Sequence, residues 1–96
     1  MAQAVLIQFT THAAERMQSR LGIRIHQGQT VDITSNFIMT HEYRHIKTGR
    51  VIQHWCNRDH TQPVVMAVEA DTGFVVTVMT NGEIVDREYS KLNARH

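Results

Sequence analysis

In the stretch FTTHAAERMQSR, Phe9 to Arg20, a histidine and two arginines recur at intervals of four: His12, Arg16 and Arg20. In a helix of 3.6 residues per turn such positions fall along one stripe. A histidine beside two guanidiniums can grip an anion, because each arginine presents a planar fork of donors. The same residues also suit the wet edge of an amphipathic helix, where arginine stems cover apolar surface. Spacing alone leaves both readings open.

HEYRHIK, His41 to Lys47, is the second constellation. Strand alternation puts His41, Tyr43 and His45 on one face and Glu42, Arg44 and Ile46 on the other. What joins the histidine face from the next strand depends on the turn. A loop of Thr48 and Gly49 alone adds His54 and Cys56, a set able to bind zinc. A loop of Lys47, Thr48 and Gly49 adds Gln53 and Trp55 instead. No ligand pair is fixed independently of that choice, so no metal and no other cofactor is assigned. The plainer reading is a polar sheet face with Tyr43 and Trp55 as packing aromatics. Cys56 has no CxxC partner and reads as a half-buried small hydrophobe rather than a nucleophile. There is no phosphate-cradling glycine loop and no Ser-His-Asp spacing.

These residues have to be positioned by a small chain. Its 96 residues suit one domain, 1–96, with a modest core. An apolar fraction of 42% and a charged fraction of 20% describe an ordered globular chain. No apolar run approaches the ~20 residues of a membrane span, so no membrane partner is expected. The N-terminus lacks the basic region of a signal peptide, and the single cysteine fits a reducing compartment; a cytoplasmic location is expected. Formal charge is +1 and the pI about 8.0. Dedicated nucleic-acid binders often exceed a pI of ~9, so any basic footprint must be local. Seven histidines would raise the charge below pH ~6.5.

AVLIQF, residues 4–9, reads as a strand. Thr10 or Thr11 then caps a helix over Thr11 to Leu21 that stops at Gly22, burying Ala13, Ala14, Met17 and Leu21. Thr30 can cap a second helix from about Val31 to Ile38, although its apolar residues form no clean stripe. MTHEYRHI, RVIQHWCN, PVVMAVEA and FVVTVMT read as four strands, joined pairwise through KTGR and DTGF, with a polar loop at NRDHTQ, residues 57–62. If Asp71, Thr72 and Gly73 form a three-residue loop, Val68 faces Val76 and Met66 faces Val78. One face is then Val64, Met66, Val68, Phe74, Val76 and Val78, wholly apolar, and the first helix is the simplest cover for it. EIVDREYSKLNARH reads as a C-terminal helix whose Ile84, Val85, Tyr89 and Leu92 can pack. The expected fold is α+β, an antiparallel sheet of four to five strands with N-terminal and C-terminal helices packed on it.

FTTHAAERMQSRLGI resembles the opening of a small bacterial and phage domain family of unknown function. In that family a strand leads through phenylalanine and serine or threonine to a His-Ala pair, with arginines four and eight residues after the histidine. DTGFVVTVMT resembles the same family's closing hairpin. The family is similar in layout to the RelE-type and BrnT-type ribonuclease toxins. The likeness covers both ends of the chain and not Arg24 to Asn36.

The resemblance implies a RelE-like sheet and RNA chemistry on its open face, as a metal-independent endoribonuclease. Such cleavage needs a base, an acid and cations that hold the phosphate. It implies His12 as acid or base, Arg16 and Arg20 as a phosphate clamp, and His45 beside them. His41, Tyr43, Arg44 and Lys47 would contact RNA by stacking and by charge. Two other functions compete. One is a phage-type or accessory interaction protein that blocks a host protein without catalysis, which the near-neutral charge favours. The other is a zinc-stabilised binding module. Expected partners are accordingly RNA, a host protein or an antitoxin.

Overall fold

The computed structural model describes residues 5–26, 28–34, 36–58 and 63–94. In chain order they form β1 (Leu6–Phe9), α1 (Thr11–Leu21), β2 (Thr30–Asp32), β3 (Phe37–Arg44), β4 (Val51–Asn57), β5 (Val65–Glu69), β6 (Phe74–Met79) and α2 (Glu83–Ala94). One six-stranded sheet results, in the order β2-β1-β6-β5-β4-β3. β1 runs parallel to β6, and the other neighbours are antiparallel. The expected antiparallel, RelE-like sheet of four to five strands is therefore corrected to a mixed sheet of six.

Two local causes account for the difference. The first is β1. Gln8 N donates to Gly73 O at 2.9 Å and Thr10 N to Val75 O at 3.3 Å. This pairing joins segments more than sixty residues apart, and no turn signal announces a parallel neighbour. The second is the stretch expected as a second helix. Asp32 Oδ1 accepts from Thr34 N at 3.0 Å and from Thr34 Oγ1 at 2.8 Å. That side-chain turn competes with helix. It leaves Thr30–Asp32 as a strand on β1 and starts β3 at Phe37. The same bonds hold the Asp32 carboxyl below its usual range, the Thr34 amide foremost.

α1 occupies the expected residues. Thr10 Oγ1 accepts from Ala13 N at 3.2 Å and donates to Val75 O at 3.0 Å, so one hydroxyl caps the helix and ties it to β6. Gly22 ends it. Ala13 and Met17 are buried against Ile7, Met66, Val68, Val75 and Val78. α2 lies on the opposite face, where Val85 meets Cys56 and Val65. Tyr89 pins it, its hydroxyl donating to Asn57 O at 2.9 Å and accepting from Val64 N at 3.1 Å.

Both long hairpins turn through four residues, not two or three. His45 N donates to Arg50 O and Gly49 N to His45 O, each at 2.8 Å; Gly73 N donates to Glu69 O at 2.8 Å. In the second hairpin Met66 pairs with Val78 as expected, but the register shifts and Val68 pairs with Val75. Val75 is consequently the buried residue, while Phe74 is 38% exposed. The expected loop at 59–62 and the C-terminal residues 95–96 lie outside the described residues. Among the described residues no helix is long and apolar enough to cross a membrane.

Gly49 and Gly73 both have positive φ, 71° and 76°. They differ in surroundings. A Cβ on Gly49 meets nothing within 4 Å, whereas one on Gly73 meets the carbonyl of Leu6 at 3.1 Å. Gly49→Ala should therefore cost only the left-handed penalty of about 1–2 kcal/mol. Gly73→Ala should cost more, because it also presses on the β1 backbone. Urea titrations of the two variants compare them; equal losses would show that β1 does not sit on this turn.

Candidate functional site

The first hairpin decides the site. A four-residue loop has the parity of a two-residue one, so His41 stands opposite His54. Their ring centroids are 5.7 Å apart, tilted by 58°. Tyr43 stacks on His41 at 5.4 Å and meets His54 edge-on at 5.3 Å. The register then shifts between Met39 and His41. The extra residue is Thr40, and the bulge turns it toward the same side as its neighbour.

Above this face lies Glu88 of α2, with no exposed surface. Thr40 Oγ1 donates to Glu88 Oε2 at 2.6 Å, and His54 Nδ1 lies 3.0 Å from Oε1. Lys91 Nζ is 3.6 Å from Oε2, and Arg87 approaches Oε1 at 3.9 Å. Burial is the largest influence on Glu88 and opposes its charge. The bonds from Thr40 and His54, with the charge of Lys91, outweigh it and hold the carboxyl below the usual glutamate range. An ionised carboxylate only accepts hydrogen bonds, so His54 carries its proton on Nδ1. In a neutral ring held this way, Nε2 is the acceptor.

Beside the pair opens a cleft of about 390 Å³. His41, Tyr43 and His54 form one wall. Ala67, Thr77 and Met79 form the floor, and α2 contributes Ile84 and Arg87. The arrangement holds two imidazoles, one oriented by a buried carboxylate, with a guanidinium at the rim. That is the equipment of general acid–base chemistry on an anionic substrate. Cys56 is fully buried beneath it, 3.6 Å from Thr40 Oγ1. Burial pushes its thiol up, which leaves it a packing residue, more deeply covered than the sequence reading supposed. Among the described residues no three His, Cys, Asp or Glu side chains are grouped to hold a metal ion.

The residues singled out in sequence are divided by the sheet. His41 and Tyr43 are in the cleft. His45 follows on their face at the end of β3, with its Nδ1 buried and unpartnered among the described residues. Arg44 is on the opposite face and donates to Gly49 O. Lys47 is exposed at the hairpin tip. His12, Arg16 and Arg20 line a separate shallow depression of about 380 Å³ with Glu15 and Ser19. There Arg16 Nε donates to His12 Nε2 at 2.8 Å, and Arg20 reaches Thr80 Oγ1 at 3.5 Å. Because α1 and α2 cover opposite faces, the stripe and the histidine cleft are two places, not one.

Sequence reasoning passed over Thr40, Arg87 and Glu88, and met His54 only as a metal ligand; it placed Ala67, Thr77 and Met79 together on the mixed sheet face, where they line the cleft. A signal for Glu88 was present. Val85, Glu88 and Tyr89 are spaced i, i+3, i+4, so the carboxylate sits on the apolar stripe of α2. Compared with protein-family models, with curated proteins and with solved structures, the chain matches none of them.

Glu88 makes stability depend on pH. Its folded pKa is depressed, so its contribution is complete above the ordinary value of 4.5 and is lost as pH falls through the lowered folded value. Glu88→Gln should cost about 1–3 kcal/mol at pH 7, or roughly 4–8 °C in Tm per kcal/mol. The gap between wild type and variant should begin to close below pH 4.5 and vanish once pH falls under the lowered folded value. Thermal melts across that range check it; a gap independent of pH would mean that Glu88 is not ionised in the folded protein.

Proposed function

We propose that the cleft beneath α2 is an acid–base site for metal-independent cleavage of RNA. The observation that carries this reading is the His41–His54 pair, with His54 Nδ1 held by Glu88. In this scheme His54 Nε2 takes the proton of a ribose 2′-hydroxyl. The 2′-oxygen forms a bond to phosphorus while the bond from phosphorus to the 5′-oxygen breaks. Protonated His41 gives its proton to that leaving oxygen. The products are a 2′,3′-cyclic phosphate and a free 5′-hydroxyl, and neither oxidant nor metal is consumed. Arg87 faces the phosphate as its charge develops. Glu88 fixes the His54 tautomer and offsets the imidazolium that forms.

The resemblance at Phe9 to Arg20 points to the same class of reaction, with the acid and base on β3 and β4 instead of on α1. The stripe on α1 supports at most an outlying phosphate contact. A second reading has its own observation. Ile46, at the tip of the first hairpin, is 98% exposed beside Lys47, as suits a contact with a protein partner. On that reading the chain binds and blocks a host protein without catalysis.

His41→Ala and His54→Ala should each lower cleavage of an RNA oligonucleotide by roughly 10²-fold or more. The wild-type rate should follow a bell-shaped pH profile, rising as the base loses its proton and falling as the acid does. Glu88→Gln removes the negative charge facing His54 and should lower the cleavage rate more than it weakens binding. Activity that survives both histidine changes would eliminate the cleft as the active site. Absence of cleavage with intact folding would favour the interaction reading.

A further inference from the structure

The cleft has a layered chemistry that goes beyond an acid and a base. Its floor is mostly apolar, with Ala67 and Met79 on the sheet and Ile84 from α2 beside them. Arg87 is at the rim, with a side chain 58% exposed. Thr77 is the polar member of the floor, paired with Ala67 across β5 and β6. Among the described residues its hydroxyl makes no hydrogen bond, and neither does that of Tyr43. The ligand that matches this order has a flat body for the floor, a polar edge for Thr77 and an anion for Arg87.

We propose that the cleft seats the base of one unpaired nucleotide, so that the substrate is single-stranded RNA and Thr77 reads the base edge. This rests on the acid–base reading of the same cleft. The size agrees. About 390 Å³ lies at the small end of the roughly 300–1,000 Å³ of small-molecule sites, room for one nucleotide. A duplex keeps its bases stacked inside, and its deep, narrow major groove admits no side chains, so a concave seat takes only a splayed base. Met79 offers a soft thioether to a ring face. Tyr43, 37% exposed and backed by His41, offers a stacking platform at the mouth for the neighbouring base. A base on the floor leaves its phosphate facing Arg87 and the two histidines. A hydroxyl can donate or accept, so Thr77 can pair with either kind of group on a base edge.

The test uses the whole chain and the four nucleoside 3′-monophosphates, followed by NMR. The methyl signals of Ala67 and Met79 should move. The four affinities should differ, and Thr77→Val should reduce the favoured one by roughly 3–10-fold, levelling the set. An unpaired RNA should be cut at least ~10²-fold faster than the same sequence in a duplex. Binding that leaves those methyls unmoved, or a preference untouched by Thr77→Val, overturns the seat. So does equal cleavage of duplex and single strand. Cleavage that requires His41 and His54 but shows no base preference removes the seat and keeps the acid–base site. Nucleotide binding at those methyls without cleavage of any RNA keeps the seat and removes the catalysis.

Discussion

A carboxylate with no exposed surface must be answered by donors, and Glu88 is answered from three elements. β3 sends Thr40, β4 sends His54, and α2 itself supplies Lys91. Taking an ion out of water costs several kcal/mol, which only a well-satisfied geometry offsets. The position of α2, the bulge in β3 and the ring orientation of His54 are therefore mutual conditions. Strict alternation would send Thr40 to the face opposite His41. The bulge lets two consecutive residues serve one side, the hydroxyl under Glu88 and the imidazole in the cleft. A single irregularity in an edge strand thus both closes the buried network and opens the site.

The sheet acts as a partition. On one side α1 covers Met66, Val68, Val75 and Val78, and the work there is packing. On the other, among the described residues, α2 packs on Cys56, Val65 and their partly buried neighbours, a smaller apolar cluster beside the cleft. The polar residues of that second face would be costly to bury under a longer helix. Left beside a cleft, they remain available for chemistry. Thr10 shows the opposite economy on the α1 side, where one hydroxyl both caps the helix and bonds the strand beside it.

Local chemistry was readable from the chain; pairings at a distance were not. The cap at Thr10, the stop at Gly22 and the apolar face of Val64, Met66 and Val68 follow from propensity and period, and the structure has them. The parallel contact of β1 with β6 depends on Gly73 letting a backbone approach, which no periodicity encodes. The helix expected after Thr30 lost to the turn made by Asp32, a competition between side chain and backbone that a weak apolar pattern did not decide. In the His41–His54 hairpin the issue was one of counting. The loop is closed by an i+4 bond to Gly49, longer than the two- or three-residue alternatives, and its even length gave the histidine pairing. Glu88 was hidden among the charges of DREYSK, where carboxylates are usually solvated.

Net charge of +1 bears on how such a cleft would hold RNA. Arg87 lines the cleft and Lys91 follows it on α2; both face Glu88, whose charge offsets part of theirs. The field reaching a phosphate is therefore weak, and long-range steering contributes little. Affinity must then come from contact: stacking on Tyr43 and burial of a flat body over Ala67 and Met79. Such terms are short-ranged and weakly screened, unlike the counterion release that dominates binding by strongly basic proteins. They also act only on a base already out of its stack. On the proposed function, weak electrostatics and a concave apolar floor lead to the same substrate, an unpaired segment recognised by shape rather than by charge.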